Sequence, residues 1–384
     1  MTATVFSFIT SILLFNVYIV LIAFMRQRNG FLIRFSLVPL AIMIIAGIFR
    51  LVCFVEFPVT TIVGSEIILP TILYFFAMKL FTAYNGVVTV HIYDVLLVVW
   101  CIGCIYNLQK YVRQSRQLNK SISVIQGTED VRIISCMNEI LADSRKISKV
   151  KIIQSENIHI PMISGFFKPV IYLPVMQFSD EELKNILLHE WTHFLHKDAW
   201  VKLSIYFISS IFWWNPFVHI LRNELNHILE IQCDLSVTSQ MDEKTRIDYL
   251  EGILKVIRAS EQDTFPNAVP INCAALVSTN KEKKIEQRFK LVLDYDSDKK
   301  KRILPVLLLC TIILLSFVAS YRFVIQPRTY STVKAGYEDT FTITPENSYL
   351  SINKDGTYSL YSDGKYRCDI QEIDKEPFSS LPIE

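Results

Sequence analysis

Two long stretches of this chain, residues 1–25 and 303–321, carry no charged side chain. As helices, both are long enough to cross the ~30 Å hydrocarbon core of a bilayer. A chain with such runs must place them in lipid, which excludes an ordinary water-soluble fold. The first predicted span is Thr4 to Phe24, and it ends at Arg26, Arg28 and Arg34. A basic cluster of that kind marks a cytoplasmic end. No small-residue cleavage site follows, so the sequence predicts a retained anchor. Further spans are predicted from Phe35 to Val55 (with Arg50 near its end), from Val87 to Leu108 and from Ile303 to Phe323. Basic residues follow the third span at Lys110, Arg113, Arg116 and Lys120. They precede the fourth at Lys299, Lys300, Lys301 and Arg302. Four spans place both termini outside the cell membrane and residues 110–302 inside.

Two apolar segments fit this scheme less simply. Ile67 to Met78 is short and contains Pro70, which suits an interfacial helix. Leu203 to Leu221 is uncharged but contains Asn215-Pro216. The rest of the composition excludes other classes. With 51% hydrophobic residues and a formal charge of +2, disorder and direct nucleic-acid binding are not expected.

Within the inside segment, residues 128–146 read as a helix with Ile133, Met137, Ile140 and Leu141 on one face. Lys151-Ile152-Ile153 and Lys168 to Leu173 read as short strands. Ser179-x-x-Glu182 is a capping box that opens a helix. A second amphipathic helix is expected at 244–258, facing inward through Ile247, Leu250, Leu254 and Ile257.

The chemistry lies in His189-Glu190-Trp191-Thr192-His193. Histidines four apart on a helix point the same way and can hold one zinc ion. Glu190 projects beside them, placed to act as a general base toward water. The chain has only 7 histidines, so chance seldom produces this pattern. A third ligand is needed, and Glu230 is the best candidate. Asp234, one turn further on, is expected to accept the free N–H of a ligating histidine and fix its tautomer. His219 and His227 are rival ligands. Asp198 either orients a ligand or faces solvent. If Glu230 and the histidines share a metal, Leu203 to Leu221 cannot cross the bilayer once. It must be buried in the domain, re-entrant or interfacial.

These residues resemble the BlaR/MecR group of bacterial membrane metallopeptidases. The similarity runs from Met1 to about Tyr321. It is most specific at Gly165 to Pro174, Ser179 to Asp198, Trp214-Asn215-Pro216 and Glu230 to Asp234. The resemblance implies that His189, His193 and Glu230 bind zinc with Glu190 as base. It also implies that the protein senses an external stimulus and relieves repression by acting on a cytoplasmic repressor. Val170, Ile171, Tyr172 and Leu173 look like the edge strand that pairs with an extended substrate. Lys281 to Lys290 resembles a segment open to self-processing.

The expected architecture is an α-helical multi-pass membrane protein. Residues 1–110 form a membrane region with three transmembrane helices, and 111–302 a cytoplasmic α+β, gluzincin-like zinc protease domain. Residues 303–323 form a fourth transmembrane helix, and 324–384 a small extracytoplasmic β-rich domain. In that tail, Ser331-Thr332-Val333-Lys334 matches an acylation pattern by coincidence, since too little chain follows it to build a pocket. Strands are expected at Tyr349 to Ile352, Thr357 to Tyr361 and Lys365 to Ile370, joined at Asp355-Gly356 and Asp363-Gly364. Cys101-x-x-Cys104 reads as membrane packing, and Cys233 as a small buried residue. Trp200, Trp213 and Trp214 suit either an interfacial belt or core burial. Two alternatives to the signalling protease remain: a constitutive quality-control protease of the HtpX type, and a non-enzymatic receptor that keeps the zinc fold.

Overall fold

A computed structural model of the chain describes residues 2–65, 67–83, 88–123, 127–128, 130–143, 149–156, 158–262, 281–294, 303–327, 343–353, 357–370, 373 and 377–383. Helix α1 (Val5–Arg26) starts at Thr4, whose side chain accepts from the Ser7 N–H at 3.1 Å. Helices α5 (Ile92–Ser123) and α12 (Ile303–Ala319, continued by a 3-10 turn to Arg322) are also long and apolar enough to cross a membrane. On α5 the side chains from Val95 to Val99 are all exposed, the pattern of a lipid-facing surface.

The span expected from Phe35 to Val55 takes a different form. Helix α2 (Asn29–Phe35) meets helix α3 (Val38–Val52) at a bend of 94°. Ser36 takes a left-handed φ of 64° there, and Pro39 opens α3, so the backbone cannot run through as one helix. Alone, α3 reaches only about 22 Å. The short apolar helix α4 (Ile68–Ala77) falls where an interfacial helix was expected.

Leu203 to Leu221 is not one helix. Helix α8 (Asp198–Ile211) stops, and Asn215 caps helix α9 (Pro216–Thr238) by accepting from the Phe217 N–H at 3.0 Å. Pro216 supplies the preset φ of a first helical residue. Ile205, Phe212, Val218 and Leu221 are buried in one core with Phe15, Ile19 and Leu40 of the first helices. The segment is therefore a helical hairpin with one face packed on protein and Phe207, Trp214 and Ile220 exposed on the other, so it is not wholly buried in the domain. Trp200 and Trp214 remain exposed, so core burial fails for both. Arg26, the last residue of α1, makes an ion pair with Glu224 on α9 and donates at 2.8 Å to Gln287 on helix α11 (Lys281–Leu293).

Helix α6 (Val131–Asp143) and a three-stranded sheet support helix α7 (Asp180–Leu195). Strand β3 (Val170–Leu173) is the middle strand. It pairs in parallel with β1 (Lys151–Gln154) and antiparallel with β2 (Met162–Ser164). Val170 to Leu173 is thus not the edge expected from the sequence. Both sides of its backbone are occupied, and Ile171, Tyr172 and Leu173 are buried. The strand beside α7 with a free edge among the described residues is β2. It ends in a tight turn at Gly165 (φ 105°), where a Cβ would lie 2.1 Å from the Lys168 carbonyl oxygen. The capping box of α7 forms as read, with Ser179 and Glu182 bonding each other's backbone N–H groups. Helix α10 (Glu243–Gln262) buries Tyr249, Leu250, Ile253, Val256 and Ile257, leaving Ile247 exposed.

Residues Gly64–Ile72 and Pro327–Glu384 make a separate unit. It contains an antiparallel meander of β4 (Ser348–Ile352), β5 (Tyr358–Ser362) and β6 (Lys365–Ile370) around Leu350, Leu360 and Leu381. Asp363 and Gly364 have φ of 53° and 73°, as a two-residue hairpin turn demands. Residues 299–302, 331–334 and 355–356 lie outside the described residues.

Gly103 lets α5 approach the hairpin between α8 and α9. A Cβ there would fall 2.3 Å from the Trp213 ring. Gly103→Ala is predicted to destabilise the protein by about 1–3 kcal/mol through overpacking. A lowered unfolding midpoint in detergent is the expected result.

Candidate metal centre

The well-capped α7 presents His189 and His193 one turn apart, with ring planes at 88° and Nε2 atoms 3.2 Å apart. Glu230 on α9 brings its carboxylate to 3.7 Å from His189 Nε2 and 3.6 Å from His193 Nε2. Donors held ~2.0–2.1 Å from one tetrahedral ion stand about 3.3 Å apart, so these separations suit a shared metal. The Cys233 Sγ lies close too. It donates to the His189 carbonyl at 3.2 Å and sits 3.5 Å from His189 Nδ1. Ligand atoms of His189, His193 and Cys233 all fall within 4.8 Å of one another, a group able to hold a metal ion. Cys233 faces the Nδ1 side of His189, whereas Glu230 faces both Nε2 atoms.

The far side of each ring is tied down. His193 Nδ1 is 2.5 Å from Asp198 Oδ2. Asp198 reaches it because Lys197 turns the chain through a left-handed conformation (φ 61°) between α7 and α8. His189 Nδ1 is 2.7 Å from the Tyr249 hydroxyl, which donates to Asp234 Oδ1 at 2.8 Å. With that hydroxyl proton committed to Asp234, His189 Nδ1–H is the donor to Tyr249. Both rings then keep the tautomer whose Nε2 lone pair points to the common space. Asp234 was expected to accept directly from a ligating histidine. It stands 3.5 Å from His189 Nδ1 and acts through Tyr249. The direct carboxylate partner is Asp198, which the sequence left open.

Arg288 on α11 closes the site from the other side. It donates to both Asp234 oxygens at 2.5 and 2.8 Å and pairs with Glu230 at 3.3 Å. His227 bonds Gln287 at 3.0 Å and His219 meets the Trp213 carbonyl at 2.9 Å, so neither rival joins the group. Tyr249 and Arg288 were missed by sequence reasoning. They belong to helices whose amphipathic or basic character was visible, but nothing in their spacing linked them to His189.

Charge completes the description. Glu190, Glu230, Asp198 and Asp234 are buried or nearly so, against the buried cations Arg288 and Lys202. The missing positive charge is what two protonated histidines or one divalent cation supplies. Burial pulls both histidines down, but Cys233 and Glu230 outweigh it, and His193 rises to about 10. Burial alone would push Glu230 up, but His193, His189 and Arg288 hold it well below the usual carboxylate range. Burial raises Glu190, partly offset by the two histidines. Its Oε2 is buried without a hydrogen-bond partner among the described residues, so it is free to accept a proton from a molecule entering the site.

A cleft of about 460 Å³ opens beside His193. Ile163 and Ser164 of the free edge of β2 line it, and the Phe166 and Phe167 rings gather around Trp200 with centroids 4.8 and 5.5 Å away. An extended peptide could add to that edge as a further strand.

The BlaR1 peptidase M56 family profile matches residues 1–292. The regulatory protein BlaR1 of Bacillus licheniformis is 30% identical over 159 residues, 41% of this chain and 26% of that protein. The methicillin resistance mecR1 protein of Staphylococcus aureus (strain Mu50) is 26% identical over 294 residues, 73% of this chain and 48% of that protein. The regulatory protein BlaR1 of Staphylococcus aureus is 23% identical over 277 residues, 70% and 45% respectively. The chain spans about half the length, or less, of the curated relatives it matches. With three-quarters of its length matched by that profile, this chain belongs to the BlaR1 peptidase M56 family.

Proposed function

We propose that this protein is a membrane-embedded zinc endopeptidase that transduces an external signal by cleaving or inactivating a cytoplasmic repressor. The observation that carries the reading is the convergence of His189 Nε2, His193 Nε2 and Glu230 beside Glu190, whose Oε2 has no hydrogen-bond partner among the described residues. In this reading His189, His193 and Glu230 hold one zinc ion, and Cys233 stays a buried thiol. The bound metal supplies Lewis acidity toward a water and the peptide carbonyl. Glu190 takes a proton from the attacking water and returns it to the leaving nitrogen. Asp198 and the Tyr249–Asp234 pair keep the imidazoles oriented. The free edge of β2 aligns the substrate, and the aromatic cleft receives one of its side chains.

The topology belongs to the same proposal. The apolar helices of residues 1–110 and 303–323 lie in the cell membrane, the peptidase faces the cytoplasm, and both termini and the β-rich tail lie outside. The relatives' names, a regulatory protein and a resistance protein, support a signalling role over constitutive proteolysis.

Full-length protein in membranes, tagged at both ends, provides the test. Glu190→Gln should retain zinc while self-fragmentation and loss of a co-expressed candidate repressor fall by about 10²–10⁴-fold. Wild-type protein without zinc would overturn the ligand assignment. Asp198→Asn and Tyr249→Phe should each lower zinc affinity by about 10–100-fold, read by competition with a chelator. Removing residues 324–384 should abolish the response to stimulus while leaving the zinc content intact. Unchanged regulation would favour the constitutive protease.

A further inference from the structure

Lys202 sits one turn beyond Asp198 on α8 and is only 8% exposed. A lysine buried this far is normally paired with a carboxylate, because its charge is costly to desolvate. Among the described residues no carboxylate forms an ion pair with Lys202 and no acceptor takes a hydrogen bond from its Nζ. The side chain lines the same cleft as His193 and the β2 edge residues Ile163 and Ser164. Lys202 is also near enough to Glu190 and Glu230 for its charge to act on both carboxylates.

Four other candidate donors around the histidines already have partners. Arg288 is held by Asp234 and Glu230, and the Tyr249 hydroxyl lies between His189 and Asp234. His227 and His219 are bonded to Gln287 and to the Trp213 carbonyl. Lys202 is thus a buried cation beside the site with its donors still available.

We propose that the Lys202 ammonium receives the carbonyl oxygen of the scissile peptide as that oxygen becomes an oxyanion. The proposal rests on the peptidase reading above. Water adds its oxygen to the carbonyl carbon, and the C=O electron pair moves onto the carbonyl oxygen. Glu190 removes the water's proton, and the pair returns to re-form C=O as the C–N bond breaks. The departing nitrogen takes the proton from Glu190. Lys202 keeps its own proton throughout and contributes only hydrogen bonds and charge. Because one short helix carries both Lys202 and the Asp198 that orients His193, the cation is fixed relative to the histidines before substrate arrives. Such preorganisation makes a donor effective in the transition state.

The test uses zinc-loaded full-length protein in detergent: wild type, Lys202→Met, Lys202→Arg and Glu190→Gln. Fluorescein-labelled casein reports turnover, and N-phosphoryl-leucyl-phenylalanine reports binding of a tetrahedral anion. Lys202→Met should keep wild-type zinc content, unfolding midpoint and KM, while kcat falls by about 10²–10³-fold. Its affinity for the phosphoryl dipeptide should fall about tenfold or more, with Lys202→Arg recovering most of it. Where casein is not turned over, the phosphoryl dipeptide affinity decides. Equal kcat and equal affinity in Lys202→Met and wild type would overturn the role of Lys202 and leave the peptidase standing. Zinc loss in Lys202→Met would assign the residue to structure instead. Zinc-loaded wild type that neither cleaves casein nor binds the phosphoryl dipeptide would overturn both proposals.

Discussion

Two imidazole nitrogens 3.2 Å apart, aimed at one point inside a pocket rich in carboxylates, set the terms for the rest of the molecule. Such a pair is stable only if each ring is held by its other nitrogen and the surrounding charge is balanced. Meeting those needs takes five helices. Helix α7 supplies the histidines, α8 the partner of His193, and α10 the hydroxyl beneath His189. Helix α9 brings Glu230 and Asp234, and α11 brings the guanidinium that neutralises them. Each helix contributes few groups, so the site exists only when the helices are packed together. That makes the break at Asn215-Pro216 central. It turns an apolar stretch that hydropathy alone could send across the bilayer into a hairpin, so Glu230 can meet the histidines.

What the sequence revealed follows from range. His189, Glu190 and His193 are legible because their relation is one helical turn. The capping box at Ser179 and Glu182 is equally local, and both contacts form. The pairing of Glu230 with Asp234 could be seen as a shared helical face, but not what each carboxylate would meet. Asp234 reaches its histidine through Tyr249, a residue 15 positions away on another helix. Arg288 and Lys202 were hidden for the same reason. A basic residue in a basic or amphipathic stretch looks solvated until packing shows what covers it.

Two departures from the sequence pattern have structural causes. The pattern of Val170 to Leu173 predicts a strand, and the family resemblance puts it at the edge of its sheet. Sheet order depends on pairing between segments, and the flanking strands close both sides of it. The face of α10 was set by its aliphatic residues, which put Ile247 inward. The actual stripe is turned so that Tyr249 enters the site and Ile247 stays outside. A demand from the polar site outweighs the hydrophobic pattern there. In the membrane-proximal part, the positive φ at Ser36 divides what hydropathy treats as continuous.

Helix α9 has a property that none of its residues shows singly. Its first half is riveted to α1 through Glu224 and Arg26, and six residues on it carries Glu230. An α-helix transmits rotation with little loss, and a slip of one residue in register turns a side chain by about 100°. The aim of Glu230 is therefore mechanically referenced to the long apolar helix that precedes it by almost two hundred residues in the chain. The coordinate frame of the candidate metal centre extends into the bilayer-length helix and does not end at the walls of the pocket.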